Sequence, residues 1–210
     1  GRRDAGFDAG IQTALEYLLT DPEFLFRVEG GPAADVEPGV DYRVSDLELA
    51  SRLSFFLWSS IPDDTLLAAA EARRLSDPAE LGRQIRRMLD DPRSETLSTN
   101  FASHWFRLQN LRDAHPDVYL FPDWDQNLNR SMRRETELFF DSIVREDRSL
   151  LDLLAADYTF VDQRLATHYA IPNIVGPRFR RVSIADEQRR GLLGHASILT
   201  LTSVSNRTSP

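Results

Sequence analysis

Residues 125–146 read DQNLNRSMRRETELFFDSIVRE, and this pattern predicts one long helix. Its apolar stripe consists of Leu128, Met132, Phe139 and Ile143, which follow one another at spacings of four, seven and four residues. The helical period recurs along most of the chain, and segments rich in Gly, Pro and Asp separate the helices. The sequence therefore predicts an all-α fold.

On both sides of this segment, further helical patterns joined by short links predict a single globular array of about eight helices. Two of them cover residues 93–111 and 187–201. A brief β segment is expected near 179–184, where the sequence offers no visible partner strand. No fixed repeat period is present, which excludes a solenoid.

The pattern also predicts three parts along the chain. Residues 1–29 are expected to form the C-terminal helix of a preceding module, and 43–170 the core helical domain. Residues 171–210 are expected to begin a following module that packs on the core. The last apolar helix runs into a loop of Ser, Thr and Asn without a closing element, which is typical of a piece cut from a longer protein.

Composition excludes several classes of function. The formal charge of −8 over 210 residues disfavours binding to nucleic acid or to anionic lipid. The absence of cysteine excludes disulfides, thiolate metal sites and covalent haem attachment within this sequence. No apolar stretch is long enough to cross a bilayer. Gly-rich phosphate loops, nucleophile elbows and zincin motifs are also missing.

A set of short stretches carries a family resemblance. They are DPEFLFR at 21–27, LASRLSFFLW at 49–58, MRRETELFF at 132–140, DYTF at 157–160, HY at 168–169, RGLL at 190–193 and TSP at 208–210. Their combination resembles planctomycete-type bacterial multidomain proteins of unknown function. Within them the chain is similar to the domain of unknown function 1592, with the end of unit 1595 before it and the start of unit 1588 after it.

The resemblance implies a context more than a mechanism. Such proteins are exported, to the periplasm or beyond, and are commonly fused to c-type cytochrome modules. A c-type haem is thus expected in the full-length protein, outside this fragment, and neighbouring domains of the same polypeptide are the expected partners. No catalytic residues carry over. Two positions depart from the family pattern: Ala170 stands in place of Gly, and His195 in place of Gln or another polar residue.

Glu135 is the most unusual carboxylate, because it falls inside the apolar stripe of the long helix. An isolated buried charge is costly, so this side chain must be paired or neutral. Arg52 is the natural partner for a structural ion pair, since it borders an apolar helix face. The alternative is a general acid or base with a raised pKa, as in glycoside hydrolases, which need a second carboxylate. Glu137 points about 200° away and cannot supply it.

Three histidines, His104, His168 and His195, also fall on apolar faces. No pair has the spacing that places two metal ligands on one helix face, so no metal site is predicted. Each is interpreted as a core imidazole bonded to a backbone carbonyl. The alternative is a histidine that binds a metal or lies beside a haem supplied by another part of the protein.

Two further clusters have a structural and a functional interpretation. The aromatic residues around Trp105 and in 121–124 are expected to pack in the core, or else to form a stacking platform for a sugar or a quinone. The arginines between Arg178 and Arg190 are expected to form a solvated face, or else to bind a carboxylated ligand or an acidic domain.

Taken with the missing catalytic motifs, these features favour a helical accessory or docking module of an exported, cytochrome-associated protein. Whether the chain is an enzyme stays open at this stage. The rival hypotheses are a carboxylate-dependent enzyme domain that uses Glu135, and a histidine site for a metal or a haem.

Overall fold

The computed structural model describes residues 6–26, 30, 31, 37 and 39–203. Its elements are, in chain order, α1 (Gly6–Thr20), α2 (Pro22–Leu25), α3 (Asp46–Trp58), α4 (Asp64–Glu71), α5 (Pro78–Asp90), α6 (Ser103–Trp105), α7 (Gln126–Arg145), α8 (Asp152–Ala155), β1 (Tyr158–Val161), α9 (Gln163–His168), β2 (Arg180–Ser183) and α10 (Ala196–Thr202). The described residues thus form ten helices, three of them no longer than four residues, and one two-stranded sheet. This confirms the predicted all-α class with a short β segment.

The long helix predicted from the sequence is α7, and it lies at the centre of the fold. Asp125 caps its first turn by accepting a hydrogen bond from the backbone N–H of Leu128 at 2.7 Å. Three apolar clusters pack among the described residues, and each contains side chains of α7, among them Met132, Phe139 and Phe140. β1, α9 and α10, which also contribute to the candidate site, all contact this helix.

The predicted β segment is β2, which pairs antiparallel with β1 in the register Thr159 to Val182. The partner strand β1 was not predicted from the sequence. The run Tyr158–Val161 alternates aromatic and β-branched residues, which suits an extended strand. Helix α9 begins only after Asp162, whose carboxylate accepts from the N–H of Leu165 at 2.9 Å.

The single helix predicted for 93–111 is wrong. The segment is divided into a 3₁₀ turn at Pro92–Ser94, a π-helical turn at Leu97–Ala102, α6, and a 3₁₀ turn at Leu108–Asp113. Arg107 has a φ of 57°, in the left-handed region that ends a right-handed helix.

The helix predicted for 187–201 is also interrupted, and only Ala196–Thr202 forms α10. Two glycines explain the break. A Cβ on Gly191 would lie 2.4 Å from the carbonyl of Leu154, and one on Gly194 would lie 2.3 Å from the carbonyl oxygen of Arg189. The chain folds tightly against itself there, and only glycine fits.

The predicted division into 1–29, 43–170 and 171–210 stays a prediction. In the described residues, β2 pairs with β1 and α10 contacts α7. Residues 204–210, for which an open polar loop is expected, lie outside the described part of the chain, as do 1–5 and 27–29. None of the described helices combines the length and the apolar character needed to cross a membrane.

Candidate functional site

Glu135 projects from the middle of α7 into the core and has no exposed surface. Both carboxyl oxygens are hydrogen bonded. The hydroxyl of Thr159 lies 2.6 Å from Oε1, and the hydroxyl of Tyr169 donates to Oε2 at 2.7 Å. Thr159 belongs to β1 and Tyr169 directly follows α9, so this one side chain joins three elements.

The ionisation of Glu135 follows from its surroundings. Burial raises the pKa of Glu135 to about 8, because it removes the water that would solvate a carboxylate. The bonds from Thr159 and Tyr169 and the charge of Arg189 lower the pKa, but they do not offset burial. Glu135 is therefore a neutral carboxylic acid at neutral pH, which avoids an isolated charge in the core.

His195, the residue before α10, is another buried titratable group and is 2% exposed. Its Nδ1 lies 3.0 Å from the hydroxyl of Thr136, which also lies 2.7 Å from the hydroxyl of Ser197. The ring meets Phe139 edge to face. Burial lowers the pKa of His195 to about 3, so the imidazole is neutral. The imidazole is thus in the core, with a hydroxyl as its partner in place of the expected backbone carbonyl.

Thr159 connects the two buried groups, because its hydroxyl oxygen also lies 3.5 Å from Nε2 of His195. With Glu135 neutral, one arrangement of hydrogens satisfies every group. Glu135 donates to Thr159, Thr159 donates to Nε2 of His195, and Nδ1 of the ring donates to Thr136. The hydrogen-bonding groups of this network thus have their partners inside the protein, as expected for polar groups in a core.

The predicted ion pair between Arg52 and Glu135 is not formed. Arg52 is exposed on α3, which packs against α4 and α5, whereas the oxygens of Glu135 are taken by hydroxyl groups. Glu137 points away from Glu135, as predicted, and its carboxylate pairs with Arg133 at 2.8 Å and with Arg134 at 3.2 Å.

The other two candidate histidines lie apart from the buried network. His104 is exposed on α6, with Nδ1 2.8 Å from the carbonyl oxygen of Asn100 in the preceding turn. His168 lies at the end of α9, where partial burial, and then the charge of Arg189, lower its pKa. Among the described residues, no group of three or more His, Cys, Asp or Glu side chains is arranged to hold a metal ion.

A cavity of about 250 Å³ adjoins the buried network. Its lining includes Glu135, Thr159, Tyr169, Asp186, Arg189 and His195. Asp186 therefore supplies a second carboxylate in the same cavity, although its Oδ1 already accepts from the N–H of Gln188 at 3.0 Å. Because Glu135 has no exposed surface, a substrate could reach its carboxyl group only after Tyr169 or Thr159 had moved.

A larger cavity of about 510 Å³ lies between the segment 114–124 and helices α7, α9 and α10. Its apolar wall includes Phe121, Trp124, Met132 and Leu199, and its polar side includes His168 and Arg189. The aromatic stretch 121–124 thus borders an open space, with Trp124 half-buried and Phe121 exposed.

Arg189 lines both cavities. Its guanidinium lies over the ring of Tyr169, 4.9 Å from the ring centroid, in a cation–π contact. Tyr169 is in turn fixed by its bond to Glu135 and by the N–H of Ala196, which donates to its hydroxyl at 2.7 Å. Gly194 also helps to position Arg189, because a glycine without a side chain lets the chain pass close to the backbone of Arg189.

A separate feature lies at α1, which buries none of its residues. Phe7, Ile11, Leu15 and Leu18 form one stripe along this helix and are between 46% and 75% exposed. The following short helix α2 exposes Phe24 and Leu25 as well. Single exposed apolar residues are ordinary, but a continuous apolar stripe marks a contact surface.

Sequence reasoning found Glu135 and His195 but missed their partners. Thr136 was visible as the neighbour of Glu135, yet its bond to a residue 59 positions away cannot be read from periodicity. The pairing of Glu135 with Tyr169 spans 34 residues and depends on the turn after α9. Arg189 was noticed only as one of several arginines.

One comparison with known proteins gives a match. The family model described as PSD4, "Protein of unknown function (DUF1592)", matches residues 44–171. No curated protein and no solved structure matches the chain.

Proposed function

We propose that this chain, which belongs to the DUF1592 family of proteins of unknown function, is a helical accessory module that docks onto another domain through α1. The observation that supports this proposal is the apolar stripe of α1, which extends over the whole helix and has no cover in the described residues. Full burial of each such side chain stabilises a contact by roughly 1.5–3 kcal/mol.

The charges and apolar residues of α1 also indicate what kind of surface it docks onto. Asp8 and Glu16 are its charged residues, and the helix carries no Lys or Arg. An apolar groove bordered by basic side chains therefore matches both the stripe and the charge of this helix. We propose that the groove belongs to a neighbouring domain of the same polypeptide.

Hydrogen exchange tests this proposal. The amides of α1 are compared between the 210-residue chain and the complete polypeptide encoded by the gene. The proposal expects slower exchange of α1 in the complete polypeptide, and faster exchange again after Leu15→Glu. Thr13→Glu, on the opposite face of the helix, is the matched control and leaves exchange unchanged. Equally fast exchange of α1 in both proteins would contradict docking.

We also propose that the complete polypeptide is exported, to the periplasm or beyond, and carries a c-type haem. The family resemblance of the sequence supports this proposal. Because the chain has no cysteine, the haem would be attached outside these residues. Cell fractionation and a haem stain of the complete polypeptide test both statements. A cytoplasmic protein, or one without covalent haem, would contradict them.

Acid catalysis at Glu135 is a second candidate function. Its support is the combination of a neutral acid and a second carboxylate, Asp186, in the lining of one cavity. A glycosidase of this kind needs Tyr169 to move aside, since Glu135 is otherwise enclosed. Release of the aryl alcohol from aryl glycosides by the wild type and not by Glu135→Gln would support it. Equal release by both proteins, or none by either, would contradict it.

A further inference from the structure

We propose that the larger cavity binds a small organic carboxylate with an apolar body, and that Arg189 pairs with its carboxylate group. The site is separate from α1 and does not depend on the docking proposal. The cavity volume of about 510 Å³ is suitable, because small-molecule sites in proteins usually enclose roughly 300–1,000 Å³.

The positive charge of Arg189 indicates that the ligand of this cavity is an anion. Arg189 forms no ion pair within the described residues, although most of its neighbouring arginines are bonded. The nearby carboxyl group of Glu135 is neutral and does not balance it. Asp117, an acidic residue in the lining, uses Oδ1 to accept from the N–H groups of Tyr119 and Leu120. These bonds do not remove the charge of Asp117, but no ion pair joins Asp117 to Arg189 in the described residues, so the guanidinium of Arg189 stays unpaired in this cavity.

Arg189 is exposed, but its guanidinium lies against a ring that is itself held in place. The guanidinium rests on the ring of Tyr169, and Tyr169 is held by Glu135 and by the backbone of Ala196. A guanidinium held in one place can form two parallel hydrogen bonds with a carboxylate and loses little freedom on binding. This arrangement gives the buried acid a role in positioning Arg189.

The apolar wall of the larger cavity determines which ligand body can bind next to the carboxylate group. Phe121, Trp124, Met132 and Leu199 present aromatic, thioether and aliphatic surface to the same space. Such a wall favours a flat or branched hydrocarbon body over a sugar, whose hydroxyl groups would lose their bonds to water. His168 lies beside Arg189 on the polar side and can donate a further hydrogen bond to the anion.

Titration with naphthalene carboxylate tests the site, with calorimetry as the readout. The neutral naphthalene carboxamide and acetate serve as comparison probes. We expect saturable binding of the carboxylate, and binding about tenfold or more weaker for each comparison probe, because one lacks the charge and the other the apolar body. Equal affinity for the carboxylate and the carboxamide would overturn the proposal, as would no binding of the carboxylate at millimolar concentration.

Variants of the cavity residues test whether the carboxylate binds in this cavity. Arg189→Gln should weaken binding of naphthalene carboxylate about tenfold or more and leave the carboxamide unaffected. Arg178→Gln, an exposed arginine that lines neither cavity, is the matched control and should bind as the wild type does. Thr200→Phe fills the cavity with Arg189 intact and should also abolish binding. Unchanged binding in Arg189→Gln or in Thr200→Phe would overturn the proposal.

Discussion

The hydroxyl of Tyr169 donates a hydrogen bond to Oε2 of Glu135 at 2.7 Å, and this bond connects the buried acid with the surface. The same hydroxyl accepts from the backbone N–H of Ala196, the first residue of α10. The outer face of the ring carries the guanidinium of Arg189. One tyrosine thus links α7, α10 and the cation shared by two cavities.

Tyr169→Phe removes both bonds and keeps the ring. We expect the free energy of unfolding to fall by roughly 1–3 kcal/mol, because a buried acid oxygen and a backbone N–H lose their partner. Urea unfolding of the two proteins measures the difference. Tyr119→Phe is the matched control, since Tyr119 is 92% exposed, and it should leave the free energy of unfolding unchanged. Equal stability of Tyr169→Phe and the wild type would contradict the structural role of the bond.

The pH dependence of stability should reveal Glu135. Its pKa is about 8 in the folded protein, above the 4.5 of an unperturbed glutamate. Between these values the folded state holds a proton that the unfolded state has lost, so stability falls as pH rises, by at most about 1.4 kcal/mol per pH unit. Below this window the full contribution is present.

Glu135→Gln removes that titration. The free energy of unfolding of the wild type minus that of Glu135→Gln should therefore decrease steadily across the window. Urea unfolding of both proteins at a series of pH values provides the measurement. A difference that does not change with pH would show that Glu135 has an ordinary pKa.

At acid pH, His195 should make the free energy of unfolding change with pH in the opposite direction. Its pKa is lowered to about 3 in the folded protein, from the 6.5 of an unperturbed histidine. Between these values the unfolded state binds a proton that the buried ring does not, so stability falls as pH falls. His195→Gln should not lose stability through this protonation as pH falls. Urea unfolding of both proteins at a series of pH values measures the difference. A parallel pH dependence of His195→Gln and the wild type would rule out a buried neutral imidazole.

Ala170→Gly should stabilise the protein. Ala170, two residues after the end of α9, has a φ of 56°, in the left-handed region where a Cβ is disfavoured. The relief of strain exceeds the entropy cost of glycine, so a gain of roughly 0.5 kcal/mol is expected. Ala155→Gly, within α8, is the control and should lower stability. A loss of stability in Ala170→Gly would contradict the strain.

The sequence predicted those parts of the molecule that depend on local pattern. The period of α7 predicted the helix and the inward position of Glu135. The predicted partner Arg52 was wrong, because partner choice depends on how α3 packs, and periodicity does not contain that information.

The breaks in the helices also escaped prediction. Gly191 and Gly194 read as ordinary positions in an apolar helix until the neighbouring backbone of Leu154 and Arg189 is known. The free charge of Arg189 was equally invisible, because its surroundings come from segments far apart in sequence. The cavity depends on these long-range contacts, and so does the proposal that it binds a carboxylate.

The protonation state of Glu135 determines the hydrogen bonding of the buried network, and isotope-edited infrared spectroscopy detects it. With labelled glutamate carboxyl groups, we expect a protonated carboxylic acid band at neutral pH that is absent from Glu135→Gln. The band should disappear with a midpoint near the pKa of about 8. A spectrum that shows only ionised glutamate carboxylates at neutral pH would rule out a buried neutral acid at position 135.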